Sequence, residues 1–163
     1  MSNRILTSVA FGTALIMATG ASAQQPAPPS YGSPGVTIAQ ARKAVEAAEA
    51  EAAKNGWHMA IVVVTNEGNL ILFNRMDDAQ FGSSDVAIHK AKTAAAFRRP
   101  TKVFQDAVNA TPPALPILTL GAIAVEGGLP LIAGGKVIGA IGCSGGTAAE
   151  DGQTCRAGAA TIQ

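Results

Sequence analysis

Apolar positions recur with a helical period over residues 36–55. Ala41, Val45, Ala48 and Ala52 form one stripe, while Arg42, Glu46, Glu49 and Lys54 fall on the opposite face. Thr37 followed three residues later by Gln40 is a capping box, and Gly56 suits the position just past a helix end, so a first helix is predicted between them. Residues 59–65 (MAIVVVT) are apolar at nearly every position and rich in β-branched side chains, which predicts a strand covered on both faces. Asn66-Glu67-Gly68-Asn69 is turn chemistry, and residues 70–75 read as the returning arm of an antiparallel hairpin. A second helix is predicted from a cap at Ser83 or Ser84 to about Phe97, with Pro100 as its stop and Arg98 and Arg99 complementing its dipole. Thr101 is the expected cap of a short third helix ending near Asn109. The three prolines of residues 111–120 predict an irregular but packed segment. Gly134-Gly135 joins residues 129–133 to 136–143 as a second hairpin, and Thr147 opens a terminal helix carrying Cys155. The order α-β-β-α-α-β-β-α has hairpins in place of βαβ crossovers. It predicts an α+β fold, an antiparallel sheet with helices packed on it.

The N-terminus departs from this pattern. Arg4 precedes an apolar run over residues 5–20, and Ala21-Ser22-Ala23 offers the small residues that signal peptidase requires. Thr7, Ser8, Gly12, Thr13 and Thr19 interrupt the run, which falls short of the ~20 apolar residues of a membrane span. Residues 1–23 are therefore expected to be a signal peptide, 24–35 a Pro-rich tether, and 36–163 a single domain. The expected location is periplasmic or secreted, with no membrane span after cleavage. An oxidising compartment favours joining Cys143 to Cys155, the only two cysteines; a pair of metal-binding thiols is the alternative, but no His or third Cys lies at ligand spacing.

Composition narrows the function classes. With 48% hydrophobic and 14% charged residues the chain is not of the disordered type. Its 12 Lys+Arg are balanced by 11 Asp+Glu without a basic block, which argues against a nucleic-acid binder. So small, apolar and nearly uncharged a protein is expected to hide surface in a homo-oligomer.

Few residues carry recognisable chemistry. Gly142-Cys143-Ser144-Gly145-Gly146 is not the G-x-S-x-G nucleophile elbow, and only His58 and His89 could serve a triad. The glycines at 139, 142, 145 and 146 fail the dinucleotide spacing and are expected to let alanine-rich helices approach the sheet. Anion binding at Gly146 and Thr147 is the alternative. His58 reads as a strand-end side chain, Asp77-Asp78 as a solvated turn, and Glu150-Asp151 as first-turn complements to a helix dipole. The second helix stands out. His89 and Thr93 share a face at i, i+4, as Lys90 and Phe97 do at i, i+7, and Arg98 and Arg99 follow. Imidazole, hydroxyl, ring and guanidinium together suit a flat anionic ligand such as haem. The plainer reading is a surface helix whose apolar side is Val86, Ala87, Ala91, Ala94 and Ala95.

Several segments in fixed order resemble the GlcG/HbpS-like haem-binding family: residues 37–42 (TIAQAR), 62–64 with 67–70 (VVV, EGNL), 75–79 (RMDDA), 90–101 (KAKTAAAFRRPT), 127–130 (GGLP), 135–142 (GKVIGAIG), Ser144-Gly145 and Glu150-Asp151. The resemblance spans about residues 36–160. It implies a profilin-like α+β domain, homo-oligomers and, for some members, haem binding or haem breakdown outside the cytoplasm. It also implies Thr93 as an axial oxygen ligand to haem iron; because a neutral hydroxyl is a weak iron ligand, His89 one turn earlier is the competitor on chemical grounds. Lys90, Phe97, Arg98 and Arg99 complete the expected site, the cations beside the propionates. Two other readings stay open: an enzyme that degrades haem or acts on another small anionic metabolite, and an assembly protein without ligand in which residues 59–64 and the second helix pack subunits together.

Overall fold

The structure is a computed structural model that describes residues 35–162. The expected signal peptide and all but the last residue of the expected tether lie outside the described residues. The elements run α1 (Ile38–Lys54), β1 (Ala60–Thr65), β2 (Leu70–Arg75), α2 (Ser83–Phe97), α3 (Lys102–Asn109), a 3-10 turn (Leu115–Leu120), β3 (Gly128–Ala133), β4 (Lys136–Ser144) and α4 (Ala148–Ala159). The four strands form one sheet in the order β2-β1-β4-β3, every neighbouring pair antiparallel. This is the α+β architecture that the hairpin order implies.

Three layers follow from the period-2 alternation of the central strand. Ile61 and Val63 of β1 point to one face, where Ala41, Ala44, Val45, Ala48 and Ala52 of α1 and Cys155 of α4 join them in one core cluster. Val62 and Val64 point to the other face, against Ala87, Ala91, Ala94 and Ala95 of α2. Strand β1 is thus consumed on both sides by its own chain. Residues 59–64 are 0% exposed, so they are not available to pack a second subunit, contrary to that part of the assembly reading.

Alanine against glycine sets the layer spacing. A Cβ on Gly142 in β4 would lie 2.2 Å from the Ala87 carbonyl oxygen and 2.6 Å from the Ala91 nitrogen, both backbone atoms of α2. Gly142→Ala is therefore expected to force α2 off the sheet at a cost of about 3 kcal/mol, the upper part of the usual overpacking range. Urea denaturation checks this; an unchanged midpoint would show that the helix yields without strain.

The local signals held unevenly: residues 111–120, expected to be irregular but packed, hold the regular 3-10 turn, and Leu115, Leu118 and Leu120 stand exposed because no element among the described residues covers that side. Thr37 and Gln40 form the expected capping box on α1, and α4, expected to open at Thr147, proves to carry a second one between Thr147 and Glu150. Gly134 and Gly135 turn the second hairpin with φ of 55° and 74°. Neither Ser83 nor Ser84 caps α2: the chain enters from Gly82, already helical, with no side-chain cap. Thr101 precedes α3 but does not cap it either. Its buried hydroxyl accepts the Gly128 N–H at 2.9 Å, while its own N–H donates to the Gly128 carbonyl, so the residue ties the α2–α3 junction to the start of β3.

Candidate functional site

Helix α2 carries the residues singled out in the sequence, and the structure divides them among three surroundings. One side packs on the sheet through Ala87, Ala91 and Ala94, and Lys90 belongs to it at the same helical spacing. Lys90 is 1% exposed. Its ammonium donates to Asp151 Oδ2 at 2.6 Å and to the Cys143 carbonyl at 3.1 Å. The other oxygen of Asp151 accepts the Gly146 N–H at 3.0 Å. Burial pushes the Lys90 ammonium below its ordinary value, against the attraction of Asp151, and pushes the Asp151 carboxyl above its own, against the attraction of Lys90. Lys90 therefore does not stand beside a propionate; it is a core cation.

Asp151 is the counterpart that sequence reasoning missed. It reads as a dipole complement on α4, yet it is buried beside the Cys143–Cys155 disulfide, whose Cα atoms are 5.7 Å apart. The legible signal was Lys90 itself, a cation inside the stripe Ala87–Lys90–Ala91–Ala94, which must find a buried partner. Glu126, also buried, pairs with Arg156 at 2.8 Å. The amides at the start of α4 are taken by the chain's own carboxylates, Gly146 by Asp151 and Thr147 by Glu150, which displaces the anion reading of that turn.

The second surrounding is an open groove of about 420 Å³ along the outer side of α2, lined by His89, Lys92, Thr93, Ala96 and Phe97 with Leu120 and Gly121 from across the chain. The i, i+4 spacing of His89 and Thr93 brings both to this wall. His89 is exposed. Thr93 is 5% exposed, and its hydroxyl accepts the Ile123 N–H at 3.1 Å, pinning the loop after the 3-10 turn against the helix. The Phe97 ring meets buried Phe104 of α3 edge-on, centroids 5.2 Å apart, which fixes its orientation.

The third surrounding lies past the helix end. Arg98 and Arg99 line, with Phe97, a second open depression of about 590 Å³ whose far side is Gly135, Lys136 and Val137 of the second hairpin. Only Phe97 is common to both cavities.

Among the described residues no group of three His, Cys, Asp or Glu side chains could hold a metal ion. His58 is exposed, its Nδ1 2.9 Å from the Asp77 carbonyl. The groove does fit a metal brought by its own macrocycle, because haem iron needs one axial donor from the protein and an apolar wall for the ring. His89 or Thr93 would supply the donor, and Ala96, Phe97 and Leu120 the wall. Among the described residues no helix is long and apolar enough to cross a membrane.

Fold and site together define a three-layer α+β domain with an amphipathic groove on its single-helix face. Over residues 36–160 the chain matches the family described as haem degrading protein HbpS-like, and it belongs to that family. A 15.0 kDa protein encoded between dhaT and dhaS in Citrobacter freundii is 41% identical over 119 residues, 71% of this chain and 84% of the relative. A double-mutant form of HbpS from Streptomyces reticuli superposes with a TM-score of 0.71 at 33% identity, over 86% of this chain and 99% of that one. The crystal structure of a PduOC–haem complex does so with a TM-score of 0.72 at 26% identity, over 79% and 96%.

Proposed function

We propose that this chain is an exported, oligomeric binding protein for a small molecule, and that the ligand is haem, taken into the groove along α2. The observation that carries the proposal is the convergence on one open groove of an exposed imidazole, a hydroxyl, an oriented phenyl ring and a leucine, with Lys92 at its wall for a carboxylate. The haem-bound PduOC neighbour and the family's description support the same ligand. His89 is the stronger candidate for the iron: its ring is exposed, whereas the Thr93 oxygen is engaged by Ile123 and a neutral hydroxyl is a poor ligand. Haem would bring redox and oxygen chemistry; the chain's own groups bind and orient it. Export is supported by the disulfide, which suits an oxidising compartment. Association of subunits is supported by Leu115, Leu118 and Leu120, each more than half exposed on one turn beside the groove.

A hemin titration followed by absorbance tests the ligand, with His89→Ala, Thr93→Ala and Thr93→Ser alongside the unchanged protein. A saturable, shifted Soret band lost in His89→Ala is expected. Loss in Thr93→Ala with recovery in Thr93→Ser would move the iron ligand to the hydroxyl. A featureless titration, equal to that of an unrelated protein, would remove haem from the reading. The family's description favours a second reading, haem breakdown. Adding a reductant under air decides it: a Soret band that decays with release of iron marks an enzyme, and a persistent band marks a binding protein.

A further inference from the structure

The cavity beyond the end of α2 is built for a different ligand from the groove. Three cations line it, Arg98 and Arg99 from the helix end and Lys136 from the start of β4, and no carboxylate does. Among the described residues none of the three has a carboxylate oxygen within 4.0 Å, whereas Lys90, Lys102 and Arg156 are each paired closely. We propose that this cavity is a binding site for a small dianion, a molecule carrying two anionic oxygen groups; it meets the groove only at the Phe97 ring.

Two features of the backbone support a built site. Arg98 stands at the C-cap of α2 in the left-handed region, φ 52° and ψ 39°, where glycine or asparagine is the usual choice because a β-carbon is disfavoured. Held there, Arg98 lines the depression past the helix end. Arg99 is anchored by its own Nε, which donates to the Phe97 carbonyl at 3.1 Å and leaves both terminal amino groups for a ligand. A guanidinium pre-oriented in this way suits the paired oxygens of a carboxylate or phosphate. Lys136 lines the same open depression from the Gly134-Gly135 turn, whose left-handed glycines keep the hairpin tight. Three cations without a carboxylate partner suit a ligand with more than one negative charge, and the Phe97 ring offers an apolar floor to the part of the ligand between its charges.

Calorimetric titration of the full chain with two probes, pyrophosphate and malonate, tests the site and distinguishes a phosphate from a carboxylate source. Saturable binding of one or both is expected. Arg99→Gln and Lys136→Gln should each weaken it about tenfold, the usual effect of losing one charge-assisted hydrogen bond. Arg98→Gly is the decisive variant, since it removes the charge while relieving the backbone strain, and lost binding in a protein at least as stable as the original cannot be blamed on misfolding. Lys54→Gln, an exposed cation on α1, should leave binding unchanged. Absence of saturable binding with both probes overturns the proposal, as does a Lys54→Gln effect equal to the others, which would mark general charge attraction.

Discussion

Lys90→Ala is expected to lower the unfolding free energy by about 3–5 kcal/mol, the largest single-residue effect in this protein. The ammonium is 1% exposed and Asp151 4%, so truncating one partner leaves the other without its counter-charge away from water. The Cys143 carbonyl loses a donor at the same time. The pair itself is no reservoir of stability, because burial opposes the charged form of both groups. Replacing both, Lys90→Met with Asp151→Leu, is therefore expected to return most of the loss; exposed Gly146 can give its freed N–H to water. Urea denaturation of the single and double variants reads this directly. A loss below about 1 kcal/mol in Lys90→Ala would mean that water reaches the pair in solution.

Opening the Cys143–Cys155 bridge is expected to cost about 3 kcal/mol on chain-entropy grounds for a loop of this length. The bond links β4 to α4, both sulfur-bearing residues are fully buried, and both belong to the core cluster under α1. Denaturation with and without dithiothreitol, and of Cys143→Ala with Cys155→Ala, checks the figure; coincident transitions would refute it. The bridge and the ion pair share residues: the Cys143 carbonyl receives Lys90, and Asp151 lies one turn before Cys155 on α4. Their losses should be non-additive, since each holds α4 where the other needs it.

Both predictions depend on residues whose roles were differently legible. The Cys143–Cys155 pairing could be read from cysteine count and compartment, because two thiols admit one partner. Asp151 could not, because an acidic residue in the first turn of a helix already has a local explanation in the dipole. The misplaced caps have a similar cause. Thr101 and Ser83 have the right chemistry before helices, but Thr101 is claimed by the backbone of Gly128, 27 positions away. The division of the α2 residues among groove, cavity and core was likewise hidden. Helical spacing shows that His89 and Thr93 share a side, and the structure confirms that geometry; it does not show that Leu120 and Lys136 arrive opposite.

What the sequence by itself determined is the helices and strands, their order, the antiparallel pairing within each hairpin and the small-residue contact between α2 and the sheet; the 3-10 turn and the β1–β4 pairing that orders the sheet were not legible. Periodicity, capping boxes and glycine turns act over a few residues, and the unbroken apolar run of β1 already demands cover on both faces. Tertiary structure alone decided which polar groups are buried and which surfaces meet. Lys90 is a core cation only because α4 returns Asp151 from 61 residues away, and Arg98 and Arg99 share a depression with Lys136 only because the second hairpin arrives beside the helix end. Desolvation and ion pairing are properties of the finished packing, set by residues that the chain brings together only on folding.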